Sequence, residues 1–152
     1  AYDEQVKAHS LIQYKYALEN PRKFFGYSSS VWGLTASDDN DNGYTAHSVT
    51  NDNGVISPTA AVSSLPFTPV ESMQAIRFYY YTLGDRLFGE YGFMDAFSLS
   101  DAWFSNSYLA IDQGPMIVMI ENFRSGLLWN LFMSCPEVKQ GLTRLGFTGP
   151  KI

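Results

Sequence analysis

Four acidic side chains punctuate an aromatic, Gly- and Ser-rich stretch between Leu87 and Pro115: Glu90, Asp95, Asp101 and Asp112. Flat aromatic rings can cover the apolar faces of a pyranose, while carboxylates accept hydrogen bonds from sugar hydroxyls or transfer protons. Carboxylates on aromatic loops are therefore typical of a carbohydrate site. The alternative is an ordinary core in which these acids serve as helix caps and turn residues.

A second long, turn-rich segment covers residues 24–58. Loops of this length inside a compact domain are usually functional. Trp32 and Tyr44 are candidates for stacking on a sugar ring, and Asp38 and Asp39 are candidates for binding its hydroxyls. The alternative for Trp32 is a core position beneath the loop.

Half of a calcium-loop motif lies in this segment. Asp38, Asn40, Asn42 and Gly43 match its opening, but the twelfth position, which should be a bidentate Glu, is Val49. No helix clearly leads into the segment. We therefore predict no metal and no cofactor, and keep a calcium-stabilised domain only as a third hypothesis.

The composition narrows the class of partner. The chain has 152 residues, enough for one core; it is 45% hydrophobic, 16% aromatic and 16% charged, with a net charge of −5. Without a basic stripe, nucleic acid and anionic membranes are poor partners. The single cysteine, Cys135, excludes an internal disulfide, and with only two scattered histidines it cannot build a zinc site.

Helical periodicity and capping signals predict an all-α fold with long irregular loops at one end. The predicted helices cover about residues 2–20, 59–65, 69–83 and 115–133, and a last one starts near 136. Ser57 and a Thr68–Glu71 capping box are predicted to begin the second and third helices, and Asp112 is predicted as the N-cap of the fourth. Residues 93–97 could alternate as a short strand.

The predicted helix at 115–133 is apolar nearly all round, which is typical of a helix packed against several others. Glu121 and Arg124 lie in its middle, so a buried helix is favoured over a membrane span. The chain also starts on a helix, or just before one, and this suggests that an upstream part is missing.

Four blocks carry a family resemblance: FFGYSSSVWGLTASD (24–38), GVISPTAAVSSLPF (54–67), GEYGFMDAFSL (89–99) and SYLAIDQGPMIVMIENFRSGLLW (107–129). In this order they resemble the C-terminal part of bacterial glucoamylase-like glycoside hydrolases, which include endo-β-1,2-glucanases. A similar domain occurs within cyclic β-1,2-glucan synthases. The resemblance covers nearly the whole chain.

The resemblance implies an (α/α)6 toroid and inverting hydrolysis of β-1,2-glucan, an oligo- or polysaccharide substrate. It also implies that residues 1–152 form the C-terminal portion of one catalytic domain. The N-terminal part of the same protein would supply the other helices and the glutamate general acid. A periplasmic or secreted location is implied as well, although the first residues, AYDEQVKAHS, contain no signal peptide.

By motif, Asp112 of IDQGP is the first choice for a base or water-positioning residue, followed by Asp95 and Glu90. The candidates for lining glucan subsites are Trp32, Asp38, Tyr44 and Tyr91. Two other functions stay open: a carbohydrate-binding or glucan-processing module without hydrolytic activity, and a glucoamylase-like enzyme acting on another glucan such as starch.

Overall fold

Helices account for about half of the chain, and small β-hairpins lie in the connections between them. The computed structural model describes residues 2–149 and 152. In this part of the chain the helices are α1 (Tyr2–Glu19), α2 (Pro58–Ser63), α3 (Pro69–Tyr81), α4 (Gly84–Leu87), α5 (Ala110–Ser125), α6 (Leu127–Ser134) and α7 (Pro136–Arg144). The prediction of a mainly helical protein is therefore confirmed at this coarse level.

Three two-stranded antiparallel sheets occupy connections that the sequence predicted as irregular. Their strands are β1 (Ala36–Asp39) with β2 (Gly43–Ala46), β3 (Phe88–Gly89) with β4 (Gly92–Phe93), and β5 (Phe97–Ser98) with β6 (Trp103–Phe104). The single strand predicted at 93–97 is wrong, because Met94, Asp95 and Ala96 separate β4 from β5. All-α is thus too narrow a description.

The core is built around two aromatic residues from distant parts of the chain, Trp32 and Tyr79. Both are fully buried, and the Tyr79 hydroxyl donates to the Trp32 carbonyl oxygen at 2.6 Å. The Tyr79 ring packs edge-on against Phe93 and Phe97. Phe97 in turn exchanges backbone hydrogen bonds with Ile56. The long segment 24–58 is therefore part of the core as well as a surface loop.

The helix predicted at 115–133 is two helices that meet at Gly126. Gly126 adopts a left-handed conformation with φ of 71°, which ends α5 at little steric cost. Asn122 connects the two helices, because its backbone oxygen accepts the Gly126 N–H and its side-chain oxygen accepts the Trp129 N–H at 3.0 Å. The apolar run continues on both sides of Gly126, so the sequence pattern predicted a single helix.

Helix α5 also begins earlier than predicted, and Asp112 is not its N-cap. The N-cap position is Leu109, which has an extended backbone, and the Asp112 N–H donates to the Leu109 carbonyl oxygen at 3.0 Å. Asp112 therefore lies in the first turn. Its carboxylate is consequently free for tertiary contacts.

Two other predicted side-chain caps do not form. The Ser57 hydroxyl donates to Ser37 Oγ at 2.7 Å, and the Thr68 hydroxyl contacts Ser64 and Ser72. Ser57 and Thr68 still occupy the N-cap positions of α2 and α3, but without a capping hydrogen bond. A tertiary partner takes the Ser57 hydroxyl, and local partners four residues away take the Thr68 hydroxyl.

The apolar face of α5 and α6 is largely exposed. No side chain of α6 is buried, and the large exposed residues of this face include Ile117, Phe123, Leu127, Leu131 and Phe132. Exposed apolar patches of this kind mark interaction surfaces. Among the described residues, none of the helices has the length and apolarity needed to cross a bilayer.

Candidate functional site

Three of the sequence-predicted residues, Asp38, Asp95 and Asp112, converge on one site, here called the aspartate cluster. Asp38 lies on β1, Asp95 lies between β4 and β5, and Asp112 lies in the first turn of α5. The Asp38 N–H donates to Asp95 Oδ2 at 2.7 Å, and the carboxyl groups of Asp95 and Asp112 are close enough to shift each other's pKa. Residues far apart in sequence thus share one site.

Backbone hydrogen bonds hold Asp95 in place. Its N–H donates to the Ser107 carbonyl oxygen at 3.1 Å, and the Ser105 N–H donates to the Ala96 carbonyl oxygen at 2.9 Å. The side chain is almost completely buried, with 1% of its surface exposed. The short chain segment after β6 therefore fixes the position of this carboxyl group.

Asp112 is held by the helix to which it belongs and by α2. Its carbonyl oxygen accepts a hydrogen bond from the Thr59 hydroxyl at 2.9 Å, and α2 packs closely on α5. The residue is 6% exposed. Asp112 Oδ2 and Asp95 Oδ1 are buried and receive no N–H or O–H hydrogen bond from the described part of the chain. Two adjacent buried carboxyl groups in this state favour sharing a proton.

Burial dominates the ionisation of this pair. Burial, together with charge repulsion from the neighbouring Asp95 and Asp38, raises the pKa of Asp112 to about 7. Burial also raises the pKa of Asp95, although the hydrogen bond from the Asp38 N–H opposes the change. Asp112 is therefore poised to gain or lose a proton near neutral pH.

This pKa predicts a pH-dependent stability. An unfolded Asp titrates near about 3.9, so between about pH 4 and 7 the folded protein holds one more proton at Asp112. The free energy of unfolding should therefore fall with rising pH by up to about 1.4 kcal/mol per pH unit across this window. Asp112→Asn cannot ionise and should lack this loss.

The melting temperatures of the wild-type protein and Asp112→Asn, measured from about pH 4.5 to 7.5, test the assignment. We expect the melting temperature of the variant, relative to that of the wild type, to rise with pH up to about 7, the pKa of Asp112, and to change little above it. A difference between the two melting temperatures that stays constant with pH would contradict it.

An open cleft of about 440 Å³ lies between α1, the β1–β2 hairpin, α2 and the start of α5. Tyr44 and Asp112 both line it, together with polar side chains that include Gln13 and Thr59. Tyr44 is 51% exposed and is paired with Asp38 in the register of the hairpin. The cleft therefore offers an aromatic face, hydroxyl and amide groups, and a titrating carboxyl group.

Two serines complete the site, and sequence reasoning missed both. Ser105 Oγ donates to Asp38 Oδ2 at 2.6 Å, and Ser107 Oγ donates to the same oxygen. Their spacing of two residues just before α5 was the only available signal. Nothing in the sequence pointed to a partner 67 residues upstream.

Glu90 and Tyr91 lie apart from the aspartate cluster. Glu90 is exposed in the turn between β3 and β4, and no contact with the three aspartates is found for it among the described residues. Tyr91 is 67% exposed, packs edge-on against Tyr108, and lines a separate cavity of about 230 Å³ with Gln113. Gln113 follows Asp112 directly, so this cavity lies beside the start of α5.

Trp32 is a core residue, and its proposed role in stacking on a sugar does not fit the structure. Its side chain is fully buried and packs edge-on against Tyr14. No face of the ring is open to a ligand. The alternative, a position in the core beneath the loop, describes it correctly.

The calcium-loop match is the turn of the β1–β2 hairpin. Asp39 Oδ1 accepts the N–H groups of Asp41 and Asn42, and the Asn40 side chain donates to Asp101. Buried His47 lies 3.7 Å from Asp39, and burial lowers the pKa of its imidazole. Asp39 Oδ1 is therefore committed to closing a tight turn.

Comparison with known proteins identifies the family of this chain. Residues 1–136 match the family model described as "Putative glucoamylase". The chain belongs to this family.

Relatives with more specific names are also similar. The chain is 44% identical over 145 residues to an exo β-1,2-glucooligosaccharide sophorohydrolase of Parabacteroides distasonis, covering 95% of this chain and 20% of that protein. A Chitinophaga pinensis endo-β-1,2-glucanase, solved with sophorotriose and glucose, matches with a TM-score of 0.92 and 52% identity, over 96% of this chain and 35% of that one.

A glucoamylase-family structure from Bacteroides uniformis matches with a TM-score of 0.97 and 61% identity. That match covers 99% of this chain and 36% of the other. The chain thus spans between a fifth and little more than a third of the length of these relatives. The relatives carry additional chain that the present site does not include.

Proposed function

We propose that this chain is the C-terminal portion of a glycoside hydrolase that cleaves β-1,2-glucan with inversion, and that Asp112 acts as the general base or positions the attacking water. The observation that carries the proposal is Asp112 itself. It is a carboxyl group of raised pKa at the wall of an open polar cleft. The printed activities of the two β-1,2-glucan-degrading relatives support the choice of substrate.

A raised pKa suits a general base. A stronger base takes a proton from water more readily, and catalysis is most efficient when the pKa lies near the working pH. Asp95 helps to set this property. Burial is the largest cause of the raised pKa of Asp112, and the neighbouring Asp95 carboxyl group is a further cause. Asp95 is therefore assigned a tuning role next to the base.

The general acid must come from elsewhere. An inverting mechanism needs its two carboxyl groups about 6.5–9.5 Å apart, with room for a water molecule. The Asp95 and Asp112 carboxyl groups are neighbours that shift each other's pKa, a closer arrangement than such a pair requires. The distance argument supports a general acid on a part of the protein upstream of this chain, as the family resemblance implies.

The same upstream part is proposed to complete an (α/α)6 toroid. The exposed apolar face of α5 and α6 needs a covering partner, and the relatives are about three to five times longer than this chain. Helices of the same protein are the simplest cover. A periplasmic or secreted location is proposed on the family resemblance alone.

The aromatic side chains that are exposed beside the cavities are the proposed substrate contacts. Tyr44 is proposed to lie against a glucose ring in the cleft, and Tyr91 against another beside the start of α5. Asp38 is proposed to accept sugar hydroxyl hydrogen bonds. Glu90, exposed and apart from the cluster, is not assigned a step.

The function is tested by release of reducing ends from linear β-1,2-glucan and from starch. We expect the full-length protein to act on β-1,2-glucan and the 152-residue chain alone to be inactive, because the chain lacks the proposed acid. Turnover by the isolated chain would refute the proposal that the general acid lies outside this chain. Binding of β-1,2-glucan by the full-length protein without release would favour a non-hydrolytic module, and activity confined to starch would overturn the proposed substrate.

A further inference from the structure

The two serines that precede α5 converge on a single oxygen of Asp38. Ser105 Oγ and Ser107 Oγ both donate to Asp38 Oδ2. Ser105 is buried and Ser107 is half-buried, so water competes only partly for these bonds. Hydrogen bonds to an ionised carboxylate are about twice as strong as those between neutral groups. The arrangement fixes the direction of the Asp38 carboxylate.

The serine pair is itself held in place. The Ser107 N–H donates to Ser105 Oγ at 3.1 Å, which leaves the Ser105 hydroxyl proton for Asp38. The Ser107 carbonyl oxygen accepts the Asp95 N–H at 3.1 Å. One short segment therefore positions two members of the aspartate cluster.

The consequence for Asp38 is an asymmetric carboxylate. Oδ2 is occupied by the two hydroxyl groups, whereas Oδ1 receives no hydrogen bond from any described residue. Asp38 is only half-buried, and its strand neighbour across the hairpin is Tyr44, which lines the cleft. Oδ1 is therefore the oxygen left for a ligand.

We propose that Ser105 and Ser107 are positioning residues, which hold Asp38 so that its Oδ1 accepts a hydroxyl hydrogen bond from a glucose unit bound in the cleft. The inference rests on the proposed function, because it takes the ligand to be a glucan. It adds two residues and a specific oxygen to the site.

The test uses the full-length protein and linear β-1,2-glucan. We expect Ser107→Ala to lower kcat/KM about tenfold or more, mainly through KM, because a hydrogen bond to a charged group is lost. Ser107→Thr keeps the hydroxyl and should stay within about threefold of wild type. Ser100→Ala is the matched control: this serine of the β5–β6 turn bonds the Phe25 N–H and not Asp38, so the activity of the variant should be unchanged.

A double-mutant cycle separates positioning of Asp38 from simple support of the loop. In an Asp38→Ala background, Ser107→Ala should cost no further activity, because the group that it positions is absent. A serine that only supports the loop would cost the same in both backgrounds. If Ser107→Ala does not fold, Ser107→Cys replaces it, because a thiol has similar shape but donates weakly.

The outcomes separate the two proposals. A wild-type protein that neither binds nor cleaves β-1,2-glucan refutes the proposed function. An active wild type whose Ser107→Ala variant keeps its kcat/KM, or whose loss is unchanged by Asp38→Ala, overturns the positioning role alone.

Discussion

Asp112→Asn in the full-length protein should lower kcat on β-1,2-glucan by about 10²–10⁴-fold, the usual contribution of a general base. Asparagine has nearly the same shape but cannot take a proton from water. The fold should survive, because Asp112 is not the N-cap of α5 and its backbone bonds to Leu109 and Thr59 do not use the carboxyl group. The loss should therefore appear without a fall in melting temperature.

Glu121→Gln is the matched control, since it neutralises an acid on the same helix. Glu121 bonds Arg124 and Ser125, and none of its described bonds reaches the aspartate cluster. Its activity should stay near that of the wild type. If Asp112→Asn kept more than about a tenth of the wild-type rate, the loss would be too small for a general base, and Asp95 would be tested in its place.

Trp32→Ala should destabilise the protein by about 3–5 kcal/mol, the typical cost of deleting a large buried aromatic side chain. The ring is fully buried and its backbone bonds Tyr79, the other large aromatic residue at the centre of the core. Thermal or denaturant unfolding measures the effect. Reduced affinity for glucan with unchanged stability would instead restore the sugar-stacking role.

Tyr44→Ala provides the contrast between a core aromatic and a cleft aromatic. Half of the Tyr44 side chain is exposed, so its removal leaves no sealed cavity. We expect little change in melting temperature and a higher KM for glucan. The two substitutions together separate packing from binding.

The sequence predicted which residue types form the site better than it predicted which of these residues lie together. Asp38, Asp95 and Asp112 were recognisable as carboxylates on aromatic loops, but their convergence depends on hairpin register and on the packing of α2 against α5. Neither is visible in local periodicity. Ser105 and Ser107 were missed for the same reason, because serines are common in loops and only a tertiary partner distinguishes these two.

Helix positions were predictable and helix ends were not. The apolar run from 116 to 133 predicted one continuous helix, although Gly126 within it was a possible helix end. Glycine is favoured there because it adopts the left-handed conformation without steric cost. Ser57 and Thr68 looked like side-chain caps, but the Ser57 hydroxyl bonds Ser37 from a distant strand and the Thr68 hydroxyl bonds Ser72 within α3. Local rules fail where buried polar groups have a choice of partner.

A crystal structure of the full-length protein with a β-1,2-linked glucooligosaccharide tests the central claim most directly. We predict a glucose unit in the cleft between Tyr44 and Asp112, with a water molecule within hydrogen-bond distance of the Asp112 carboxyl group. A general acid from the upstream part should lie on the other side of the glycosidic bond. An oligosaccharide bound away from this cleft, with Asp112 sealed from both sugar and water, would contradict the account.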